Sequence, residues 1–332
     1  MAAFGGILAP HLPFCSFSEM HGKLSFTVFD ISAAASNPQA AVDFFVEHGC
    51  IPHPFCHKCE KEATRCTADP RGRLFRCPKC RQRFRGTEST FLEGSPVPHK
   101  ILWCAYLWST DHGFSQCKAM LGASDDFVND WFTHWRCLAS CAQERDRKKL
   151  GGPGTILEMD CSETGRFQKG IHGHKSFIRG DLMAIVQRGS PHLVMELFNK
   201  LKDQDEWCRR FGPEKALEVL PLLQDYTIPG GALCTDGAKA YIKPAKKCGL
   251  EHHSVDHSAG IFSKQAKING KVQTVHSNTV DGLWGHWKAW YRAKRGVRQE
   301  LLEMYVSEFV WRWNNKEECL FRLLLQEMRL QM

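Results

Sequence analysis

Residues 276–298 read HSNTVDGLWGHWKAWYRAKRGVR, and the rest of the chain is understood outward from them. A helix is predicted to start near Asn278, because Trp284, Trp287, Lys288 and Tyr291 then share one face at spacings of three and four. Asp281 falls in its first turn, where an acid complements the helix dipole, and Asn278 stands three residues earlier. This pair is either an N-cap with an acid at the third helical position or a pair of oxygen donors for a cation. Behind it Lys288, Arg292, Lys294, Arg295 and Arg298 add five positive charges, with no acid between residues 284 and 298. Charges interleaved with rings suit a nucleic-acid groove, where cations meet phosphates and rings stack on unpaired bases. Trp284 and Trp287 are expected in the core, and the Lys/Arg set on DNA.

Upstream, from residue 155, strand-like and helix-like runs alternate. TILEMDC (155–161) is a short strand. LMAIVQR (182–188) and HLVMELF (192–198) bracket a Gly189-Ser190-Pro191 turn as a hairpin. GPEKALEVLPLLQDY is helical, ALCTDG a strand running into a turn, AKAYIKPAKKCG a short helix and HHSVDHS a further strand, before a polar stretch at 258–275. Such alternation predicts a mixed α/β domain. Asp160 ends the first of these strands, with Glu158 on the same face two residues earlier, and Asp236 ends another just before Gly237. Ligands gather at strand ends in α/β sheets, and Mg²⁺ or Mn²⁺ takes a few carboxylate oxygens together with open water positions. The plainer readings are a turn dipeptide at Asp236-Gly237 and an exposed strand acid at Asp160. His253 and His257 would share a strand face, with no further ligand to complete a metal site.

Toward the N-terminus, Cys56/Cys59 and Cys77/Cys80 form two Cys-x2-Cys knuckles 17 residues apart, the spacing of a Zn²⁺ tetrahedron. Asp69-Pro70-Arg71-Gly72 marks a hairpin turn between them, so a zinc ribbon is predicted over 51–97. Residues 56–100 carry eleven Lys or Arg, among them Arg81, Arg83 and Arg85, against five acids. This local excess of six charges is most of the net +8 of the whole chain, as a phosphate-binding surface requires. Residues 1–50 offer one short helix near 38–48 ending at Gly49. Residues 98–143 read as helix, short helix, Gly122 turn and a helix capped by Ser124, a helix-turn-helix layout. Residues 144–154 (ERDRKKLGGPG) are a linker, 155–318 the α/β domain and 319–332 a C-terminal tail.

The chain has 332 residues, enough for several domains and a proper core. Its sixteen cysteines show no small-domain disulfide framework. No secretory signal and no apolar run of bilayer length is evident. An intracellular, non-membrane protein is expected.

The block HSNTVDGLWGHWKAWYRAKRG followed by MYVSEFVWRWNN resembles the C-terminal signature of ISXO-type insertion-sequence transposases and their Merlin relatives. The matching residues are His276, Asn278, Asp281, Gly282, Trp284, Lys288, Glu308, Phe309, Trp311, Arg312 and Asn314. ILEMDCSETG and ALCTDGAKAY are similar to the family's two aspartate motifs. The family also carries an N-terminal zinc ribbon and a helix-turn-helix segment. The resemblance implies an RNase H-like fold and DDE-type strand cleavage and transfer. Asp160 and Asp236 would hold Mg²⁺ or Mn²⁺, with Asn278 or Asp281 as third ligand and Lys288 near the reacting phosphate. It implies double-stranded DNA partners (terminal inverted repeats and target), a homo-oligomeric synaptic complex, and a nuclear or nucleoid location according to host. Asp281 stands where the family usually has Glu, and Cys161 where it more often has Glu. Both departures favour a second reading, a transposase-derived DNA-binding protein that has lost catalysis.

Overall fold

The computed structural model describes residues 25–66, 69, 74–87, 90–93, 95, 97–163, 167–171, 174–178, 181–197, 215–295 and 297–330. Helix α1 (Val28–Ala34) opens with a reciprocal capping box between Thr27 and Asp30. Helix α2 (Pro38–Glu47) is capped by Asn37, has proline at its first position and ends at Gly49, whose φ of +69° suits glycine. Strands β1 (Phe55–Cys56) and β2 (Lys61–Glu62) form a two-stranded ribbon. Strands β3 (Thr64–Arg65), β4 (Leu74–Arg76) and β5 (Arg83–Arg85) form an antiparallel sheet beside it. Of the expected turn between β3 and β4, Pro70, Arg71 and Gly72 lie outside the described residues, while Asp69 accepts the Leu74 N–H at 2.8 Å. Helices α3 (Pro98–Ser109), α4 (Phe114–Leu121) and α5 (Asp125–Arg145) follow, with Gly122 left-handed at φ +52° and Ser124 capping α5 as the sequence predicts.

Strand β6 (Leu150–Gly151) leads into β7 (Ile156–Glu163), a hairpin of β8 (Phe167–Ile171) and β9 (His174–Ile178), then β10 (Asp181–Gln187) and β11 (Leu193–Leu197). Helix α6 (Ala216–Tyr226) is followed by β12 (Thr227–Ile228), which pairs with β6, by β13 (Ala232–Thr235), and by helix α7 (Ile242–Lys247). The order continues with β14 (Glu251–Ser254), the hairpin β15 (Lys264–Ile268) and β16 (Lys271–Val275), and helices α8 (Asn278–Ala293), α9 (Leu302–Asn314) and α10 (Leu320–Leu330).

The main sheet has the order β11-β10-β7-β13-β14. Its first three strands are antiparallel neighbours, whereas β13 runs parallel to both β7 and β14. Alternation along β10 shows why both faces are covered. Leu182, Ala184 and Val186 pack on α8 and α9 through Leu283, Trp287, Val306 and Phe309. Met183 and Ile185 point the other way, to Val219, Leu223 and Tyr241. A strand buried on both sides reads as a continuous apolar run, which is what LMAIV is. Trp284 and Trp287 are buried, as expected.

Helix α1, strand β6 inside the expected 144–154 linker and the β8–β9 hairpin are additions to the sequence reading, and two further segments differ from it. The polar stretch at 258–275 holds the β15–β16 hairpin, turned by Asn269 (φ +50°) and Gly270 (φ +78°), the positive-φ pair of a two-residue hairpin. Its inward residues Ala266, Ile268 and Val275 pack beneath Cys234 and Val255. The expected C-terminal tail is helix α10. Its Phe321, Leu324, Leu325 and Met328 complete the core of the N-terminal helices, among Phe45, Ile101, Leu102 and Trp135. Among the described residues no helix is long and apolar enough to cross a membrane.

Candidate active site

Strand β7 sits at the centre of the sheet and turns Glu158 and Asp160 toward α8. Asp160 Oδ2 accepts the indole N–H of Trp284 at 2.9 Å. Burial pushes the Asp160 carboxyl up from 3.8 to about 6. The Trp284 and Cys161 hydrogen bonds oppose that rise, and the charges of Asp236 and Asp281 add to it. Asp236 follows the last residue of β13 and is held in an Asx turn, its Oδ1 accepting the Ala238 N–H at 3.0 Å. Asp281 lies in the first turn of α8, where the Ser277 hydroxyl donates to its Oδ2 at 3.0 Å. The charges of Asp236, beyond the parallel neighbour strand, and of Asp281, at a helix start, thus both reach Asp160 on the central strand, while among the described residues only the thiol cluster of the ribbon gathers donors within 4.8 Å of one another. Asn278 is the first residue of α8 and not its N-cap. Ser277 holds that position, and the exposed Asn278 donates its backbone N–H to His276 Nδ1 at 3.2 Å.

Glu158 shares the strand face of Asp160, as the alternation predicts, but not its surroundings. It is fully buried and surrounded by donors. Arg188 Nε donates to Oε1 at 2.6 Å, and the Thr279 hydroxyl to the same oxygen at 2.9 Å. The N–H groups of Thr279 and Val280 donate to Oε2 at 2.8 and 3.1 Å. Cys161 departs in another way: its side chain packs on the opposite face of the sheet, where the Tyr241 hydroxyl meets its Sγ at 3.4 Å.

Lys288 lies seven residues beyond Asp281, two turns along the same helical stripe, and is half-buried. Arg292, Arg295 and Arg298 are exposed. Lys294 departs from the expected phosphate contact: its Nζ lies 2.6 Å from Asp111 and over the Trp290 ring, with the side chain 14% exposed. The signature residues of α9 are also turned inward. Glu308 is buried between Arg136 of α5 and Arg312, each at 2.8 Å. Arg312 further donates to the carbonyls of Ser109 and Trp108 and lies over the Trp108 ring. The Asn314 side chain pairs with both backbone groups of Leu193, at 2.8 and 3.1 Å. These residues join the helical N-terminal part to the sheet, a role that sequence spacing does not reveal.

The Sγ atoms of Cys56, Cys59, Cys77 and Cys80 all lie within 4.8 Å of one another. A thiolate tetrahedron with metal–sulfur bonds of about 2.3 Å has sulfurs about 3.8 Å apart, so the donors fit a tetrahedral soft-metal site. Both knuckles are built alike. The N–H of Glu60 returns to the Cys56 carbonyl and that of Arg81 to the Cys77 carbonyl, with φ of +50° and +61°. The Cys80 N–H, 3.5 Å from Cys77 Sγ, pulls that thiol down to about 6, while burial and then its thiol neighbours push Cys59 up to about 12. Four thiols do not ionise together without a cation among them. Arg81, Arg83 and Arg85 are exposed on this unit, whereas Arg65 is tied to Asp43 of α2, and Arg71 and Arg73 lie outside the described residues. The helix-turn-helix layout is present, but the opening turns of α5 expose Asp125, Asp126 and Asp130. Phosphates are repelled by such a face.

Residues 171–314 match the ISXO2-like transposase domain, a span that contains Asp236, Asn278, Asp281 and Lys288 and begins beyond Asp160. The resemblance read from the C-terminal block is therefore shown over this region. A relative in Haemophilus influenzae, described as an uncharacterized transposase-like protein, is 25% identical over 99 residues, covering 30% of this chain and 72% of that protein.

Proposed function

We propose that the chain is a DNA transposase that binds element ends and performs metal-dependent strand cleavage and strand transfer. The observation that carries this reading is the convergence of Asp160, Asp236 and Asp281, close enough for the latter two charges to act on the first. An RNase H-like fold is supported by the sheet, in which three antiparallel strands are followed by two parallel ones with helices on both faces. Asp160, Asp236 and Asp281 would hold Mg²⁺ or Mn²⁺, with Asn278 beside them at the start of α8. Such ions activate a water or a 3′-hydroxyl and stabilise the leaving oxygen of an in-line displacement. Trp284 occupies one oxygen of Asp160 and so fixes which oxygen faces the cations. Lys288, two turns along the same helical stripe as Asp281, would contact the DNA near the reacting phosphate. The Cys56/Cys59/Cys77/Cys80 cluster holds Zn²⁺ and presents Arg81, Arg83 and Arg85 to terminal-repeat DNA, and Arg292, Arg295 and Arg298 extend that contact along the duplex. Two ends must be held together, so the working form is a homo-oligomer.

The second reading, a DNA-binding protein that has lost catalysis, drew on Cys161 and on the shorter Asp281. Cys161 faces away from Asp160, so its lack of a carboxylate removes nothing from the cluster. One experiment separates the two readings: the full chain with end-sequence DNA and Mg²⁺ or Mn²⁺, beside Asp160→Ala and Asp236→Ala. Metal-dependent nicking that disappears in both variants supports the enzyme. DNA binding without nicking in the parent protein would establish the binding-only reading.

A further inference from the structure

Helix α8 begins without a cap of its own. An N-cap side chain normally accepts the N–H of the second or third helical residue. Ser277 holds the cap position, yet its hydroxyl is directed to Asp281 Oδ2 at 3.0 Å, with His257 Nε2 3.4 Å away on its other side. The N–H groups of Thr279 and Val280, the second and third residues of the helix, are therefore left for another acceptor. Glu158 supplies it from the central strand, 121 residues away in sequence, with Oε2 at 2.8 and 3.1 Å. The same carboxylate draws in Arg188, whose other nitrogens bind the carbonyls of Thr274 and His276 at 2.7 and 2.9 Å. His276 Nδ1 approaches Oε1 at 3.2 Å. One buried side chain thus gathers the end of β16, the bend before α8 and the helix start.

We infer that Glu158 is a positioning residue of the site, a remote cap that frees Ser277 to orient Asp281 and sets the angle at which α8 presents Asp281 to Asp160 and Asp236. The geometry favours a role in placement over one in metal binding. Both Glu158 oxygens are occupied by donors, whereas Asp160, two residues on and on the same strand face, has a single side-chain donor in Trp284. Strand β7 therefore docks α8 at two heights. Glu158 holds its first turn and Asp160 holds Trp284 a turn and a half later, so a shift of the helix start changes the distance between Asp281 and Asp160 directly. A glutamine at 158 keeps the size but replaces one acceptor with a donor that faces N–H groups or Arg188, and it removes the charge that a guanidinium and a helix N-terminus both favour.

This inference rests on the metal-site reading above, so the test has one readout for the clasp and another for the cation. Full-length protein is measured as wild type, Glu158→Gln, Thr279→Val, Asp281→Asn and Asp160→Ala. Amide hydrogen exchange reads Thr279 and Val280, and Mn²⁺ binding is followed by the electron paramagnetic resonance of the free ion. In Glu158→Gln, exchange at Thr279 and Val280 is expected to rise at least tenfold, with α5 and β10 unchanged, and Mn²⁺ affinity to fall about tenfold. Thr279→Val removes only a side-chain donor from an exposed position. It should fold whatever happens to the stronger variant, and should weaken Mn²⁺ two- to threefold. Unchanged exchange at Thr279 and Val280 in Glu158→Gln overturns the clasp. Faster exchange with unaltered Mn²⁺ affinity, while Asp281→Asn does lower it, overturns the positioning role and leaves Glu158 as a helix cap alone. Mn²⁺ binding that Asp160→Ala leaves intact removes the metal-site reading and the catalytic meaning of the clasp with it, while the exchange data still decide whether the cap exists.

Discussion

Cys77 in the thiol cluster of the ribbon and Asp160 in the carboxylate cluster of the sheet reach similar acidities from opposite sides. Backbone N–H groups pull Cys77 down to about 6, whereas burial pushes Asp160 up to about 6. The first site is made of two short loops of the same shape, contained within residues 56–81. It is a local structure that has little to hold it together except a metal. The second is assembled from a strand, its neighbour and a helix start, each anchored in a core that exists without any cation.

The sharpest way to break this contrast is metal removal. A structural Zn²⁺ site is worth roughly 10–16 kcal/mol of apparent binding free energy. Cys56→Ser, or a strong chelator, is expected to abolish order across residues 55–85 while leaving the main sheet folded, as read by amide NMR or limited proteolysis. Loss of both together would show that the two regions do not fold separately. The next largest effect concerns their joint. Glu308→Ala takes away the carboxylate that buried Arg136 and Arg312 share, leaving Arg312 only its carbonyl contacts, and should cost about 3–5 kcal/mol, measured by urea unfolding.

Acid titration sharpens the carboxylate half. The folded protein holds the Asp160 proton more tightly than the unfolded chain does, so between pH 4 and about 6 the native state binds more protons. The contribution of Asp160 to the stability of the metal-free protein is therefore fully present below the unfolded value and is lost as pH rises through about 6, by an amount on the order of 3 kcal/mol. Thermal melts from pH 4 to 7 should show this fall, and Asp160→Asn should remove it. Mn²⁺ affinity must move the other way, rising as Asp160 ionises. The smallest expected effects lie at exposed cations. Arg83→Ala and Arg292→Ala should change stability by no more than about 0.5 kcal/mol, while each lowers the salt slope of DNA binding by about one.

The same contrast explains what was legible in the sequence. The knuckles were readable because Cys-x2-Cys and the residue after it fix a tight loop by themselves. Asp236 and Asp281 were readable as acids at a strand end and a helix start, because alternation and capping are local rules, whereas Asp160, expected to end its strand, lies within β7, which continues to Glu163 because its pairing with β10 runs on past it. Glu158 had the right face, but its partners lie 121 residues away, and Arg136 meets Glu308 across 172. No spacing rule reaches that far. The β15–β16 hairpin was hidden by composition: its outer face carries Gln265, Lys267 and Thr274, and only Asn269-Gly270 betrays the turn. Lys294 looked like its basic neighbours because Asp111 is remote in sequence. Asn278 was misjudged as a cap by a single residue, since the acceptor that serves the helix start is not in the helix at all.

Helix α10 has a consequence for how the molecule is made. The helices that emerge first from a ribosome, α1 to α5, wait for Phe321, Leu324, Leu325 and Met328 before their apolar interior is closed. At about 5–20 residues per second, that interval after α5 lasts on the order of ten to forty seconds. The nascent N-terminal half therefore stays sticky until the whole sheet has been translated, which makes it a natural client for chaperones. A fragment cut after α9 would keep the main sheet and its packed helices and still aggregate through its other end.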